Sequence, residues 1–255
     1  MKRSSQASLF ALSLAFLIVG RTAAVELLNN GNFETFSNGI PTGWNYIRGD
    51  GPAVLESTNA SPFTNVYSSS TRSVLLSEST ETGFTPDLRQ SFAPQTGMIL
   101  FSFEFRVSSF AGDPWYALPV ASTNYTLNNI RLGGSIGQFA LADGTSSAFT
   151  LAISTGTWYQ VSMTFNLTTL TYSGSITPFG GSATTWNNRA LLQSVPDFGG
   201  IIFDDSSGST GGLNGPIALD NVSVRPVPEP STFASLIFVA GLILFSRRLR
   251  LCADA

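Results

Sequence analysis

Apolar and polar side chains alternate with a period of two along residues 100–108 and again along residues 159–167. In the first stretch the odd positions, such as Phe101 and Phe103, are apolar, and most even positions are polar. This period predicts β-strands with one face in a core and the other in solvent. A similar pattern over residues 170–176 follows the second stretch closely, which predicts a hairpin.

Other short apolar runs are bounded by Gly, Ser, Thr and Asn. They predict strands at residues 53–56, 73–77, 130–132, 139–142, 149–153, 200–203 and 217–224. Residues 112–129 show no clear period and are predicted to be irregular. Many short strands with glycine-rich turns, and no amphipathic helical pattern, are typical of an all-β fold. We therefore predict a jelly-roll β-sandwich, flanked by an N-terminal signal peptide helix and a C-terminal transmembrane helix.

The start of the chain has the three parts of a secretory signal peptide. Lys2 and Arg3 are positively charged, residues 9–19 are apolar, and small residues end at Ala24. An apolar run of about 11 residues is short for a membrane span, which needs about 20. Residues 1–24 are therefore predicted to be a signal peptide, and the protein is expected to be exported.

The end of the chain begins with a proline-framed acidic motif. Pro228 and Pro230 lack a backbone N–H and favour extended conformations around Glu229. Residues 226–232 are therefore predicted to be an open segment that an enzyme can bind.

An apolar run and a basic end follow that motif. Residues 233–246 are predicted to form a transmembrane helix that spans the hydrocarbon layer only marginally. Residues 247–255 are predicted to be a basic cytoplasmic tail, because arginines after an apolar helix stay on the cytoplasmic side.

This tail resembles the PEP-CTERM sorting signal of Gram-negative bacteria that make exopolysaccharide. The resemblance rests on Pro228, Glu229 and Pro230, on the apolar helix, and on Arg247 and Arg248. It implies recognition at the inner membrane by an exosortase, a membrane-embedded cysteine protease or transpeptidase. The protein would be anchored transiently in the inner membrane and then reach the cell surface or the extracellular matrix. The alternative is an ordinary membrane anchor with a chance Pro-Glu-Pro.

Residues 25–225 are predicted to form one β-sandwich domain. They contain seven basic and fourteen acidic residues, a net charge of −7, so no basic footprint for nucleic acid is present. The only cysteine is Cys252, so this exported domain must hold together without disulfides. It relies on its core, and a bound metal would add stability.

Two ends of this region resemble jelly-roll carbohydrate-binding modules. The residues concerned are 27–34, with the Gly43-Trp44 corner that follows them, and the closing run 218–224. Residues 157–176 are also similar to laminin-G or concanavalin-like sandwiches. In the carbohydrate-binding modules a Glu after the first strand and an Asp in the last strand hold a structural Ca²⁺. The resemblance therefore implies that Glu34 and Asp220 bind Ca²⁺, a cation that takes six to eight oxygen ligands.

Aromatic side chains that could stack on sugar rings occur within residues 112–129. Sugar sites on β-sandwiches combine aromatic faces with amide or carboxylate groups at the rim. The candidate ligand-binding residues are Trp115, Tyr116, Asn124, Tyr125 and Asn128. The alternative is that Trp115 and Tyr116 cover the core beneath a long loop.

The chain contains no histidine, which excludes Ser-His-Asp and Cys-His catalysis and histidine-based zinc sites. Two carboxylates could still hydrolyse a glycoside, and the candidates are Glu56, Glu104, Asp113, Asp204 and Asp205. No pattern brings any two of them together, so the sequence predicts that the protein is not an enzyme.

The predicted function is that of an exported bacterial protein whose sandwich binds exopolysaccharide or another glycan. Two alternatives stay open. One is a structural surface or matrix protein without a specific ligand, and the other is a glycan-active enzyme.

Overall fold

The alternating pattern produces β-strands throughout a computed structural model that describes residues 24–47, 54–64, 67, 70–77, 87–112, 114–145, 148–205 and 215–228. The strands are β1 Phe36–Ser37, β2 Ile40–Pro41, β3 Asn45–Ile47, β4 Val54–Ser57, β5 Ser73–Leu76, β6 Asp87–Gln95, β7 Met98–Val107, β8 Trp115–Val120, β9 Asn129–Gly133, β10 Gln138–Ala142, β11 Phe149–Ala152, β12 Trp158–Asn166, β13 Thr171–Pro178, β14 Thr184–Ala190, β15 Phe198–Asp205 and β16 Ile217–Pro226. In these ranges no helix is long and apolar enough to cross a membrane.

Two seven-stranded antiparallel sheets form the sandwich. The first sheet has the order β11-β10-β9-β8-β15-β6-β3, and the second has the order β14-β13-β12-β7-β16-β5-β4. A small two-stranded sheet joins β1 and β2. This architecture confirms the prediction of an all-β sandwich.

The core lies between the inner faces of the two sheets. Phe101 and Phe103 of β7 are fully buried, as the alternation predicted. They meet aromatic rings of β15 from the other sheet, with ring centroids 5.7 Å apart for Phe103 and Phe203 and 6.3 Å apart for Phe101 and Phe198. Burying one such ring contributes about 2 kcal/mol, so this aromatic layer stabilises a domain that contains no disulfide.

The strands β7, β12 and β13 lie where the sequence predicted them, within about two residues at each end. The prediction that residues 112–129 are irregular is wrong for Trp115–Val120, which form the central strand β8. The strand contains Pro119 and an outward Leu118, and these two residues obscure the alternation. The polar strand β14 was also missed.

The opening segment packs against the last strand. The N–H of Leu27 donates to the carbonyl of Val224, and the N–H of Val222 donates to the carbonyl of Gly31. A Cβ on Gly31 would lie 2.0 Å from the carbonyl oxygen of Val222, so this close approach requires glycine. Residues Val25–Val227 form one compact unit, and the predicted signal peptide, transmembrane helix and basic tail lie outside the described residues.

Candidate functional site

A row of charged and aromatic side chains crosses the outer face of the first sheet. Four adjacent strands bring them side by side: Arg131 of β9 pairs with Tyr116 of β8, Tyr116 with Asp204 of β15, and Asp204 with Asp87 of β6. Their inward neighbours, such as Phe203, lie in the core, so these four side chains point outward. We call this set the Tyr116 row.

Arg131 and Tyr116 form one end of the row. The guanidinium Nη2 of Arg131 donates to the Tyr116 hydroxyl at 3.1 Å, and its Cζ lies 5.6 Å from the centre of the tyrosine ring. Arg131 is exposed and Tyr116 is half-buried. The pair therefore offers an aromatic ring and a cation together at the surface, which suits stacking and hydrogen bonding to a ligand.

Carboxylates form the other end. Asp87 accepts hydrogen bonds from Nε and Nη2 of Arg89, which lies on the same face two residues along β6. These bonds raise the pKa of Arg89 above its ordinary value, with a further contribution from Asp204, so the guanidinium stays charged. Directly opposed residues on neighbouring antiparallel strands have Cβ atoms about 4.5–5.5 Å apart. The strand register therefore places Asp204 beside Asp87, which is 9% exposed and bonded to one arginine.

The five predicted ligand-binding residues are not brought together. Trp115 is only 2% exposed, and its indole N–H donates to the carbonyl of Gly215 at 2.9 Å, so it packs in the core. Asn128 is fully buried beside the hydroxyl of Tyr172. For Trp115, the strand alternation that places Tyr116 outward directs the preceding position inward.

Asn124 and Tyr125 lie in the turn that follows β8. The N–H of Asn124 donates to the carbonyl of Ala121 at 2.9 Å, and its φ of 63° is left-handed, a conformation that Asn tolerates. Tyr125 is 59% exposed. The turn therefore presents one aromatic ring to solvent, separate in sequence from the Tyr116 row.

The predicted carboxylates occupy different environments. Glu104 points outward from β7 but is only 1% exposed, and it accepts hydrogen bonds from the amides of Gln160 and Asn221 at 2.9 and 2.7 Å. Glu56 pairs with Arg72 at 2.6 Å. Asp113 lies outside the described residues, and Asp205 is placed only as the end of β15.

A second feature is a group of oxygen atoms around the hydroxyl of Ser70. The Ser70 Oγ lies 3.0 Å from Glu34 Oε1, 3.1 Å from Asp220 Oδ1, 2.7 Å from the carbonyl of Arg72 and 3.5 Å from the carbonyl of Asn32. A hydroxyl has one proton, so it can satisfy only one of these acceptors well. We call this set the oxygen cluster.

The two carboxylates of the oxygen cluster differ in their electrostatics. Asp220 is fully buried, and burial raises its pKa to about 7 despite hydrogen bonds from Ser61 and Ser70. Burial also raises the pKa of Glu34, but hydrogen bonds led by those from Thr71 outweigh it and lower the pKa below its ordinary value. Within the described ranges neither carboxylate has a cationic partner, and a cation bound here would favour the ionised form of Asp220.

This donor set fits Ca²⁺. Two carboxylates, a hydroxyl and main-chain carbonyls are the oxygen ligands that calcium accepts. In the part of the chain that the structure describes, no group of three or more His, Cys, Asp or Glu side chains is placed to hold a metal. A calcium ion at the cluster would therefore depend on the main-chain carbonyls of Asn32 and Arg72 as well as on Glu34 and Asp220.

Comparison with known proteins identifies the class of fold but does not identify a family. No protein-family model matches the chain, and no curated protein matches it. Two solved structures share the sandwich over 80% of this chain: a GH131 β-glucanase catalytic domain from Podospora anserina, and the catalytic domain of a glycoside hydrolase family 131 protein from Coprinopsis cinerea. The first has a TM-score of 0.53, 11% identity and 97% of its length covered, and the second has 0.52, 13% and 95%.

Lectin structures also align with the chain. The Lotus tetragonolobus seed lectin has a TM-score of 0.48 and 10% identity, and the alignment covers 81% of this chain and all of the lectin.

The comparisons correct one prediction. The sequence led us to predict that the protein is not an enzyme, and that prediction is wrong. The same sandwich forms the catalytic domains of two GH131 proteins, so neither the fold nor the sequence argument excludes catalysis. The structure also places two carboxylates side by side, which no sequence pattern had indicated.

Proposed function

We propose that the protein is a glycan-binding β-sandwich and that the Tyr116 row is its binding site. The observation that carries this proposal is the placement of an aromatic ring, a guanidinium and two carboxylates on one outward face. Sugars bind where an aromatic face meets a few well-placed polar groups. The sandwich shared with two GH131 catalytic domains supports the same ligand class.

Isothermal titration calorimetry of the full chain with soluble polysaccharides tests this proposal. Tyr116→Ala and Arg131→Ala should each weaken binding about tenfold, equivalent to about 1.4 kcal/mol, because each removes one half of the stacked pair. Tyr125→Ala is the matched control, since it removes an exposed aromatic ring from the turn after β8. If only Tyr125→Ala weakens binding, the site lies in that turn and the Tyr116 row is not the site.

The pair Asp87 and Asp204 supports a second candidate function, glycoside hydrolysis. Retaining glycosidases place two carboxyl groups about 5–5.5 Å apart, a separation within reach of directly opposed residues on adjacent strands. In such a reaction one carboxyl group protonates the leaving oxygen while the other attacks the anomeric carbon. Water, activated by the first group as a base, then hydrolyses the covalent glycosyl-enzyme. Release of reducing ends from the same polysaccharides, abolished by both Asp87→Asn and Asp204→Asn, would establish this activity.

We also propose that the C-terminal tail directs sorting by an exosortase and that the protein is exported to the surface or matrix. The support is the ordered series of Pro228-Glu229-Pro230, an apolar run and Arg247 with Arg248. Deleting residues 229–255 in the native host should abolish membrane retention and processing. Fractionation and C-terminal mass spectrometry that match those of the intact protein would contradict it.

Finally, we propose that the oxygen cluster holds a structural Ca²⁺. The ion would neutralise Glu34 and Asp220 and join three segments that are distant in sequence. It contributes stability to a domain that has no disulfide, and no chemistry is assigned to it.

A further inference from the structure

The outer face of the second sheet carries an unusual concentration of hydroxyl groups. Strand register places Ser102 of β7 beside Ser162 of β12, Ser162 beside Ser175 of β13, and Ser175 beside Thr185 of β14. Neighbouring strands lie about 4.8 Å apart, so this line of four hydroxyls extends about 14 Å across the sheet. Their inward neighbours, such as Val161, belong to the core.

Polar uncharged side chains surround this line. The full set, which we call the hydroxyl face, is Ser102, Gln160, Ser162, Thr164, Ser173, Ser175, Thr177 and Thr185. Thr185 is exposed and the others are half-buried. Among the residues that the structure describes, no side chain or backbone group hydrogen-bonds the hydroxyls of Ser102, Ser162 and Ser175. Three hydroxyls at the centre of the face are therefore available to donate and accept.

An aromatic pair stands at one end of the hydroxyl face. Phe179 lies in the turn directly after β13 and is 54% exposed. Its ring packs edge-on against Phe63, with centroids 5.4 Å apart and an interplanar angle of 86°. Its N–H donates to the carbonyl of Trp158, which fixes the turn. A large exposed aromatic side chain thus lies beside a field of hydroxyls.

The charged side chains near this face contact neighbouring side chains. Glu104 is 1% exposed and is bonded by the amides of Gln160 and Asn221. Arg106 lies over the ring of Trp158, with its Cζ 5.4 Å from the centroid. Among the described residues, the hydroxyl face itself contains no charged side chain. The centre of the hydroxyl face consists of serine and threonine side chains, whereas the centre of a typical protein interface is apolar.

We propose that the hydroxyl face, with Phe179, is a second binding surface for neutral polysaccharide. A polyhydroxylated uncharged chain matches hydroxyl and amide groups that both donate and accept, and the exposed phenylalanine offers a face for one sugar ring. The ligand class rests on the proposed function, whereas the location does not. The Tyr116 row and the hydroxyl face lie on opposite outer faces of the sandwich, so one molecule binds two chains and bridges them.

The test uses the full chain with three neutral polysaccharides: mixed-linkage β-glucan, galactomannan and dextran. Binding is measured by calorimetry, and bridging by light scattering of the mixture. In a Tyr116→Ala background, Phe179→Ala and Ser162→Glu should each weaken the remaining binding about tenfold. Thr155→Glu is the matched control, because it adds the same charge on an exposed turn outside both faces. Phe179 is 54% exposed, so Phe179→Ala removes little buried surface and keeps the test valid if Ser162→Glu fails to fold.

Each outcome decides the proposal. In the unsubstituted protein, polysaccharide should raise light scattering, and either Tyr116→Ala or Phe179→Ala should abolish that rise while binding persists. If Tyr116→Ala alone removes all binding, the proposed function stands and the second surface is refuted. Loss of a dimer in Ser162→Glu, with glycan binding unchanged, would assign the face to a second copy and overturn the proposal. Binding of none of the three polysaccharides would overturn both proposals.

Discussion

At the scale of single residues, Asp143 links the two sheets. It follows β10 of the first sheet and accepts hydrogen bonds from Arg189 of β14 and from the hydroxyl of Tyr172 of β13 in the second. Its side chain is 1% exposed. Burial raises its pKa, but the hydrogen bonds from Arg189, Tyr172 and Thr145 outweigh burial and lower the pKa below the ordinary value.

Replacing this carboxylate should therefore destabilise the protein. Asp143→Asn removes the buried carboxylate that pairs with Arg189, which costs roughly 3 kcal/mol. The free energy of unfolding is measured by urea denaturation. Asp197→Asn is the control, because Asp197 accepts two hydrogen bonds from Ser122 at an exposed position. A loss no larger than that of the control would contradict the role of Asp143.

The lowered pKa of Asp143 also predicts how the stability of the protein changes in acid. The folded-state pKa of Asp143 lies below its unfolded value of about 3.9. Its contribution to stability is therefore complete above that value and is lost as the pH falls towards the folded-state pKa. Urea denaturation below about pH 4 should show the unsubstituted protein losing more stability than Asp143→Asn.

Among the strands, the sequence predicted those whose apolar residues all face the core. β7 and β12 have this pattern because each lies near the middle of the second sheet, with one face in the core and one in solvent. β8 lacks it because Leu118 points outward and Pro119 interrupts the run. β6 and β14 were missed for the related reason that polar residues outnumber the apolar ones that mark a strand.

The candidate site was less predictable than the strands. Tyr116 was identified as an aromatic candidate, but its partners come from β9, β15 and β6, which are far apart in sequence. Only the register of four strands places Arg131, Asp204 and Asp87 in one row. An aromatic residue beside it, Trp115, was a candidate on composition alone, and the alternation of β8 directs it into the core.

For the whole molecule, the oxygen cluster matters because it connects the first and last segments of the domain. It joins the segment after the first residues, the segment before β5 and the last strand β16 through Glu34, Ser70 and Asp220. Backbone hydrogen bonds from Leu27 and Val222 join the same first and last segments. A cation that balances the two carboxylates would strengthen this closure more than any single hydrogen bond can.

Calcium should therefore raise the melting temperature of the full chain. Free Ca²⁺ at 100 times its dissociation constant stabilises the folded state by about 2.7 kcal/mol, which is roughly 5–10 °C for a domain of this size. Scanning calorimetry in EDTA and in CaCl₂ measures the shift. Glu34→Gln and Asp220→Asn should each remove it. Glu56→Gln should keep it, because Glu56 pairs with the guanidinium of Arg72, and only the main-chain carbonyl of Arg72 belongs to the cluster. A melting temperature that is the same in EDTA and in calcium would rule out the ion.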